Sequence, residues 1–466
     1  MVSNQSIPWE ILAHQLPPLG LSNDPEVCSR YSSDETEDLC FIPEAVAFPT
    51  TTEHVQSIAR FCYRYNVPMT PRGAGTGLSG GALPVKGGLV VSFERMNRIL
   101  QIDRENMWAV VQPGVITQVL QEAVAAEGLF YPPDPASRGS CHIGGNIAEN
   151  SGGPRALKYG VTKDYVLNLQ VVLPSGESFW TGAPTTKNAT GYNLTQLIVG
   201  SEGTLAFVTQ AVLRLIPHPN VNYLMLAAFD SAEVAGQAAL SLRLGGIYPS
   251  ALELMERMAL QLGAAYLQRP MPIEKGQAFL LIEIDGMDTN NAWRRVEKAY
   301  EILAPTAIEV LMAESDREKE QLWSLRRAIA HGVKARSTYK EEDTVVPVKE
   351  VPALLRYVHQ MEAQYGFRAV CYGHVGDGNV HVNILQEGLS AHQWAELLPK
   401  AIDQLFREVV RLGGTISGEH GIGYVQRRYM PIAFAPHTLR LMQRIKEAFD
   451  PKGLLNPGKI FPEILA

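Results

Sequence analysis

The chain has 466 residues, 46% of them hydrophobic and 19% charged; this exceeds one ordinary domain and predicts a soluble protein of two or more units with a substantial core. Its 41 basic and 48 acidic residues leave a formal charge of −7, which argues against a nucleic-acid partner held by phosphate neutralisation. Five scattered cysteines with no C-x-x-C pair argue against a disulfide scaffold, a cysteine zinc site or an iron–sulfur cluster, and fit a reducing compartment. No run of 18 apolar residues predicts a transmembrane helix. Residues 1–20 lack the basic stretch and long apolar run of a signal peptide. A cytoplasmic location is expected, and peripheral association with a membrane is compatible with it.

Residues 1–40 are polar and irregular, with a short helix and a loop expected. Residues 45–48 read as an apolar strand. Thr51 and Thr52 can cap a helix that sets Val55, Ile58, Ala59 and Cys62 on one face, and residues 67–70 read as a second strand. This β–α–β texture recurs: residues 108–112 read as a strand, Thr117 starts a helix carrying Leu120, Ala123 and Val124, and Gly128 ends it. Residues 165–173 and 177–181 make a hairpin around Pro174-Ser175-Gly176. Pro217-His218-Pro219-Asn220 reads as a linker. Beyond it, strand-like runs (223–229 and 278–284) alternate with helical ones (232–244 and 291–304), which predicts a second α/β domain with an antiparallel sheet. From Gly421 the chain is expected to be helical.

Residues 71–84 hold Gly75, Gly77 and Gly80, which satisfy G-x-G-x-x-G by letter. A Rossmann turn needs a helix directly after it, and here Gly80-Gly81 and Pro84 follow, which cannot continue a helix. The loop still suits an anion. Consecutive backbone N–H groups in a glycine-rich turn form a concave nest, and missing side chains let a pyrophosphate approach; a flexible surface loop is the bland alternative. A second glycine cluster spans residues 140–153 and a third spans residues 200–205. Together they would let backbone line a long, flat ligand.

Residues 372–383 read Tyr-Gly-His-Val-Gly-Asp-Gly-Asn-Val-His-Val-Asn. Asp377-Gly378 predicts a tight two-residue turn. Folded about that pair, Gly376 opposes Asn379, Val375 opposes Val380 and His374 opposes His381, on the face that Asn383 shares. Two imidazoles and an amide converging there could grip a metal or an oxyanion, or form a hydrogen-bonded structural pair. Ser417-Gly418-Glu419-His420-Gly421-Ile422-Gly423 supplies a carboxylate and another imidazole. Two His and one Glu make a common three-ligand zinc set with open positions.

On these residues, with Asn456-Pro457-Gly458-Lys459, the chain resembles the vanillyl-alcohol-oxidase/p-cresol-methylhydroxylase class of FAD enzymes. It is most similar to the branch containing D-lactate dehydrogenase, D-2-hydroxyglutarate dehydrogenase and the glycolate oxidase FAD subunit. The resemblance runs from about residue 45 to 461 and implies an α+β fold. An N-terminal PCMH-type FAD-binding domain with two α/β subdomains would be joined to a substrate or cap domain, whose antiparallel sheet is flanked by helices. A C-terminal helical segment would return to the FAD domain. The expected boundaries are 1–40 for an N-terminal segment, 41–217 for the FAD domain, 218–420 for the substrate domain with its metal site, and 421–466 for the returning segment.

The same resemblance implies the site residues. Arg72, Gly73, Ala74, Gly75, Thr76, Gly77 and Leu78 would wrap the FAD pyrophosphate. Ser140, Cys141, Gly144, Gly145, Asn146, Ala148, Asn150 and Gly153, with Glu202, Gly203, Thr204 and Asn456, would line the rest of FAD. Thr76 stands where some relatives carry the histidine that links FAD covalently, so non-covalent FAD is expected. His374, His381 and Glu419 would bind a divalent metal, zinc by ligand type, with Mn, Fe or Co as substitutes. His420 would be the general base for the substrate hydroxyl, Asn383 would orient the substrate, and Arg326 would hold its carboxylate.

The implied activity is oxidation of a small D-2-hydroxy acid to the 2-oxo acid, with hydride passing to flavin N5. D-2-hydroxyglutarate dehydrogenases carry a lysine where Glu341 stands here and a threonine at the position of Ala330, so D-lactate or glycolate is favoured over D-2-hydroxyglutarate. No dedicated nicotinamide site is seen, so a quinone, cytochrome or partner subunit is the expected acceptor, and a homodimer is expected. An oxidase using O₂, a metal-dependent hydrolase and a non-catalytic FAD subunit of a larger complex are the alternatives.

Overall fold

Thr51, extended, accepts a hydrogen bond from His54 N through its hydroxyl and so caps the helix Thr52–Tyr65. That helix buries Val55, Ile58, Ala59 and Cys62, the face the periodicity predicts. It belongs to a computed structural model that describes residues 7–463, and all elements below lie within them. The chain divides into two compact units. One comprises the chain through Ser151, Val161–Pro217 and the chain from Glu419 onward; the other comprises Gly152–Gly160 and His218–Gly418.

In the first unit a four-stranded sheet runs in the order Leu21–Ser22, Ala45–Ala47, Leu89–Ser92, Met69–Arg72, the last three parallel. Met69–Arg72 begins two residues later than expected. Asn66 turns left-handed at φ 54°, and Val67 N–H goes back to the Cys62 carbonyl, so Val67 is spent on ending the helix. The C-terminal tail closes on this sheet. Met69 N–H donates to the Leu454 carbonyl at 2.7 Å, Asn456 N–H to the Met69 carbonyl at 2.6 Å, and Leu455 enters the core beside Val55, Ile58 and Leu89.

The second expected β–α–β unit is not one. The strand Trp108–Val111 and helix Thr117–Ala125 form, but the strand lies in a five-stranded sheet that is antiparallel throughout. Its order is Ile99–Asp103, Trp108–Val111, Phe207–Arg214, Val166–Val172, Ser178–Trp180. Residues 104–107 connect the first two strands, too few for the dozen or so that a parallel crossover requires. The expected linker also begins inside a short strand, Ile216–Pro217, paired with Leu129–Phe130.

The second unit is built on a seven-stranded antiparallel sheet. Its order is Glu309–Ala313, Val221–Phe229, Ala278–Gly286, Ala251–Glu256, Arg368–Gly373, Asn379–Leu385, Tyr339–Val345. Ala251–Glu256 and Asn379–Leu385 are buried at every residue. The helices Arg257–Tyr266 and Asp316–Arg336 supply Leu260, Leu325 and Ile329 to the core over Phe279 and Leu281.

The hairpin departs from its predicted register. Tyr372, not His374, faces His381, and Cys371 faces Val382. The turn is wider than Asp377-Gly378 because flanking strands claim its backbone. Gly376 N–H donates to the Leu252 carbonyl at 3.2 Å, and Val346 N–H to the Gly378 carbonyl at 3.1 Å. His374 thus leaves the ladder for the turn, yet its ring still lies 5.5 Å from that of His381, at 83°.

Gly378 holds φ +90°, and a Cβ there would run into the Val346 carbonyl oxygen. Gly378→Ala is expected to destabilise the protein by about 2–3 kcal/mol, from left-handed strain plus collision, measured as a lowered denaturant midpoint at unchanged m-value.

Candidate functional site

Within the first unit, a pocket is walled by all of residues 72–78. Cys141, Gly144, Gly145, Asn146 and Ala148 add to the wall, as do Glu202, Gly203 and Asn456. Glu419 and His420 also reach it. Four residues expected to contact FAD are not part of this wall. Ser140 bonds the Ser137 carbonyl, Asn150 caps a helix end in the left-handed region at φ 55° and accepts from Lys163 N–H, and Thr204 donates to the Ser201 carbonyl at 2.7 Å. Gly153 belongs to the second unit, whose segment Gly152–Gly160 docks there through Lys158 and Tyr159 on Asp285.

The pocket has the marks of a site for a large polar ligand with an anionic segment. A Cβ built on Gly77 or Gly145 meets nothing within 4 Å, so both glycines leave space that a side chain would fill. Three lining residues carry buried polar atoms with no hydrogen-bond partner among the described residues: Arg72 Nη1, His142 Nδ1 and Glu149 Oε2. Such atoms are rare in native proteins and point to a ligand. Burial holds the His142 imidazole below its usual range, hence neutral, while Arg72 offers a cation beside the glycine loop. His142, Glu149 and Ser201 also line the pocket, and each sits inside a recognised glycine cluster.

Glu202 and Asn456 line the pocket but brace it with their side chains. Glu202 Oε1 accepts from Ile422 N–H at 2.8 Å and Oε2 from Gly423 N–H at 2.6 Å, fixing the loop that carries Glu419 and His420. Asn456 Nδ2 donates to the Glu202 carbonyl and the Gly81 carbonyl, and Lys459 Nζ donates to the Leu83 carbonyl. Burial drives the Lys459 amine down to about 8. It pushes the Glu149 carboxyl well above its usual range, helped by the neighbouring Glu202 charge, so Glu149 holds a proton on folding.

In the second unit, chemistry concentrates at the mouth of the hairpin. Glu253, with no solvent exposure, splits its two oxygens. Oε2 accepts from Arg326 Nε at 2.9 Å and Nη2 at 2.7 Å, and Oε1 lies 2.7 Å from His374 Nδ1. Against the burial that would raise it, His374 and Arg326 hold the Glu253 carboxyl below its usual range. The Arg326 guanidinium lies 4.8 Å from the Tyr372 ring centre, and Tyr372 lies 5.4 Å from His381. His381 Nδ1 has its own carboxylates, Glu341 at 3.2 Å and Asp343 at 3.8 Å. Asp343 also accepts from Asn379 Nδ2 at 2.6 Å and from Gly418 N–H at 2.8 Å, so it ties the turn to the start of the Ser417–Gly418 stretch. Asn383 is fully buried, with Nδ2 3.4 Å from the Val370 carbonyl and Oδ1 without a hydrogen-bond partner among the described residues.

His374 therefore meets a carboxylate at Nδ1 in a hydrogen bond, which directs Nε2 to the metal role, while His381 Nδ1 lies within ion-pair reach of two carboxylates without a hydrogen bond to either. Carboxylate-backed histidines of this kind are the usual donors to a divalent cation, so the residues present fit one. Arg326, expected to meet a substrate carboxylate, is already bound to a protein carboxylate through two of its nitrogens. Glu253 and Asp343 were not singled out from the sequence. Glu253 stands in Ala-Leu-Glu-Leu-Met-Glu, a strand with no motif around it.

Residues 218–460 match the FAD linked oxidases, C-terminal domain, and residues 43–182 match an FAD binding domain. The sequence is 40% identical over 433 residues to the glycolate oxidase subunit GlcD of Bacillus subtilis (strain 168), covering 92% of each chain. It is 36% identical over 425 residues to a D-lactate dehydrogenase of Anaerostipes hadrus, covering 90% of this chain and 89% of that one. Among solved structures, p-cresol methylhydroxylase with substrate bound matches at a TM-score of 0.80 and 16% identity, over 97% of this chain and 95% of that one, which shows a shared fold. No helix among the described residues is long and apolar enough to cross a membrane.

A carboxyl whose folded pKa is raised contributes stability at low pH that is lost as pH rises. Glu149→Gln, which keeps the shape of the protonated acid, is therefore expected to gain melting temperature over the unaltered protein as pH goes from 5 to 8. A Tm difference that stays flat across that range would place the proton elsewhere.

Proposed function

This chain belongs to the FAD-linked oxidase family of FAD-dependent oxidoreductases, and on that premise we propose that it oxidises a small D-2-hydroxy acid, D-lactate or glycolate, to the corresponding 2-oxo acid. The observation that carries this reading is the cluster in the second unit: the His374 imidazole bonded at Nδ1 to Glu253, the His381 imidazole beside Glu341 and Asp343, and a buried arginine. It offers a hard Lewis-acid site and a cation, the two things an α-hydroxycarboxylate needs for recognition. The names of the two relatives, a glycolate oxidase subunit and a D-lactate dehydrogenase, support the same substrate class.

Residues 72–78, with Gly145 and Asn146, are the proposed cradle for FAD, and Arg72 is the proposed partner of its pyrophosphate. Bound there, FAD would supply the acceptor for the hydride and its two electrons. Thr76 offers no nucleophilic nitrogen, so non-covalent retention is proposed. His374 and His381 are the proposed metal ligands, with Glu419 as the third ligand on sequence grounds. A divalent metal, zinc by ligand type, would supply Lewis acidity toward the substrate oxygens.

The remaining steps fall to side chains. Arg326 keeps Nη1 outside the Glu253 bonds for the substrate carboxylate. Asn383 Oδ1 is the proposed acceptor for the substrate O–H, and His420 the proposed base that takes its proton. Loss of that proton and of the Cα hydride balances the oxidation, and the electrons leave to a quinone, cytochrome or partner subunit. Specificity is assigned to Glu341. Its carboxylate lies 3.2 Å from His381 Nδ1, so a second, distal substrate carboxylate would meet like charge. A monocarboxylate meets no such charge.

In a panel of D- and L-2-hydroxy acids with a dye acceptor, kcat/KM is expected to be highest for D-lactate or glycolate. Glu341→Lys is expected to raise the value for D-2-hydroxyglutarate relative to D-lactate by about tenfold or more. An unaltered enzyme fastest on D-2-hydroxyglutarate would sink the assignment to Glu341.

Gly145→Val is expected to lower the flavin-to-protein ratio severalfold while the fold survives by circular dichroism. Acid precipitation of the unaltered protein is expected to leave the flavin in the supernatant. Flavin pelleting with the protein would show a covalent link.

A further inference from the structure

Five side chains of the second unit close a ring. Arg326 lies over Tyr372, Tyr372 against His381, His381 against His374, His374 on Glu253, and Glu253 on Arg326. Glu253 hydrogen-bonds both the arginine and an imidazole, with one oxygen each. Oε2 accepts two N–H groups from Arg326 and Oε1 is left for His374, so one carboxylate couples the guanidinium to the imidazole. The acceptor at Oε1 then requires the proton of His374 to sit on Nδ1.

We propose that Glu253 is a positioning residue that sets the His374 tautomer and the Arg326 guanidinium as one unit, so that the metal-facing Nε2 and the substrate-facing Nη1 are oriented together. The inference rests on the function proposed above, because it presumes a metal at His374. It assigns no contact with substrate to Glu253, which has no solvent exposure.

Glu253→Gln separates the two duties. An amide has one acceptor and one donor face. If its oxygen serves Arg326, its NH₂ faces His374 Nδ1, which must then accept, and the ring proton moves to Nε2, where it blocks a metal. If its oxygen serves His374, its NH₂ opposes the Arg326 donors and frees the guanidinium. Either way one partner loses its orientation while the volume is kept.

The test uses the full-length, flavin-loaded protein, stripped of metal by chelation and titrated with Co²⁺ and with Zn²⁺. In Glu253→Gln the metal dissociation constant is expected to rise about 10–100-fold, with the flavin-to-protein ratio unchanged and KM for the 2-hydroxy acid raised more than kcat is lowered. Affinity within threefold of the unaltered protein, with KM also unchanged, would overturn the inference and leave the function standing. An unaltered protein that takes up neither ion would overturn both. Should Glu253→Gln not fold, Glu253→Asp gives the same reading, since a carboxylate one methylene shorter cannot span both partners; unchanged metal affinity there again overturns the inference.

Discussion

A carboxylate taken wholly out of water is costly unless positive charge and hydrogen bonds surround it. Glu253 is such a group, and the layout of the second unit's chemistry follows from how it is met. Arg326 comes from the helix Asp316–Arg336, His374 from the turn after Arg368–Gly373, and Glu253 from the strand Ala251–Glu256 between them. Three elements far apart in sequence are thus fixed at one point. The widened turn is part of this arrangement. His374 sits at the turn rather than on the ladder, and Gly376 is stitched to Leu252, the residue before Glu253.

The first unit solves a related problem with the opposite sign of compensation. Glu149 and Glu202 are buried together, and burial resists two like charges. Glu202 recovers stability through two backbone N–H groups, Lys459 lies close enough to be felt, and Glu149 keeps its proton. Asn456 and Lys459, distant in the chain, brace Gly81 and Leu83 at the far end of the glycine loop. The C-terminal motif therefore shapes the first unit's pocket from behind.

Much of this was legible before the structure. The helix cap at Thr51, the glycine loop without a following helix, the antiparallel second domain and the histidine hairpin all rest on local rules of capping, periodicity and turn chemistry. What local rules missed is non-local. The hairpin register was misread because Asp377-Gly378 alone favours a two-residue turn, while Leu252, in another strand, and Val346, just past the end of one, draw the loop open. The Trp108–Val111 strand was misread because β–α spacing says nothing about the partner strand. Glu253 and Asp343 were overlooked because a charged residue in an apolar strand carries no motif, although its very presence there is a signal that something must neutralise it. Asn456 was assigned to the ligand, and its side chain proves to brace the wall.

The Glu202 anchor has a further consequence. It grips the loop at Ile422 and Gly423 through backbone N–H groups alone and makes no use of their side chains. Gly423 must nonetheless stay glycine, because it holds φ +50° and a Cβ there would run into the Ser79 carbonyl oxygen. The strut is thus written in backbone atoms and one glycine, and it fixes the chain two residues beyond His420.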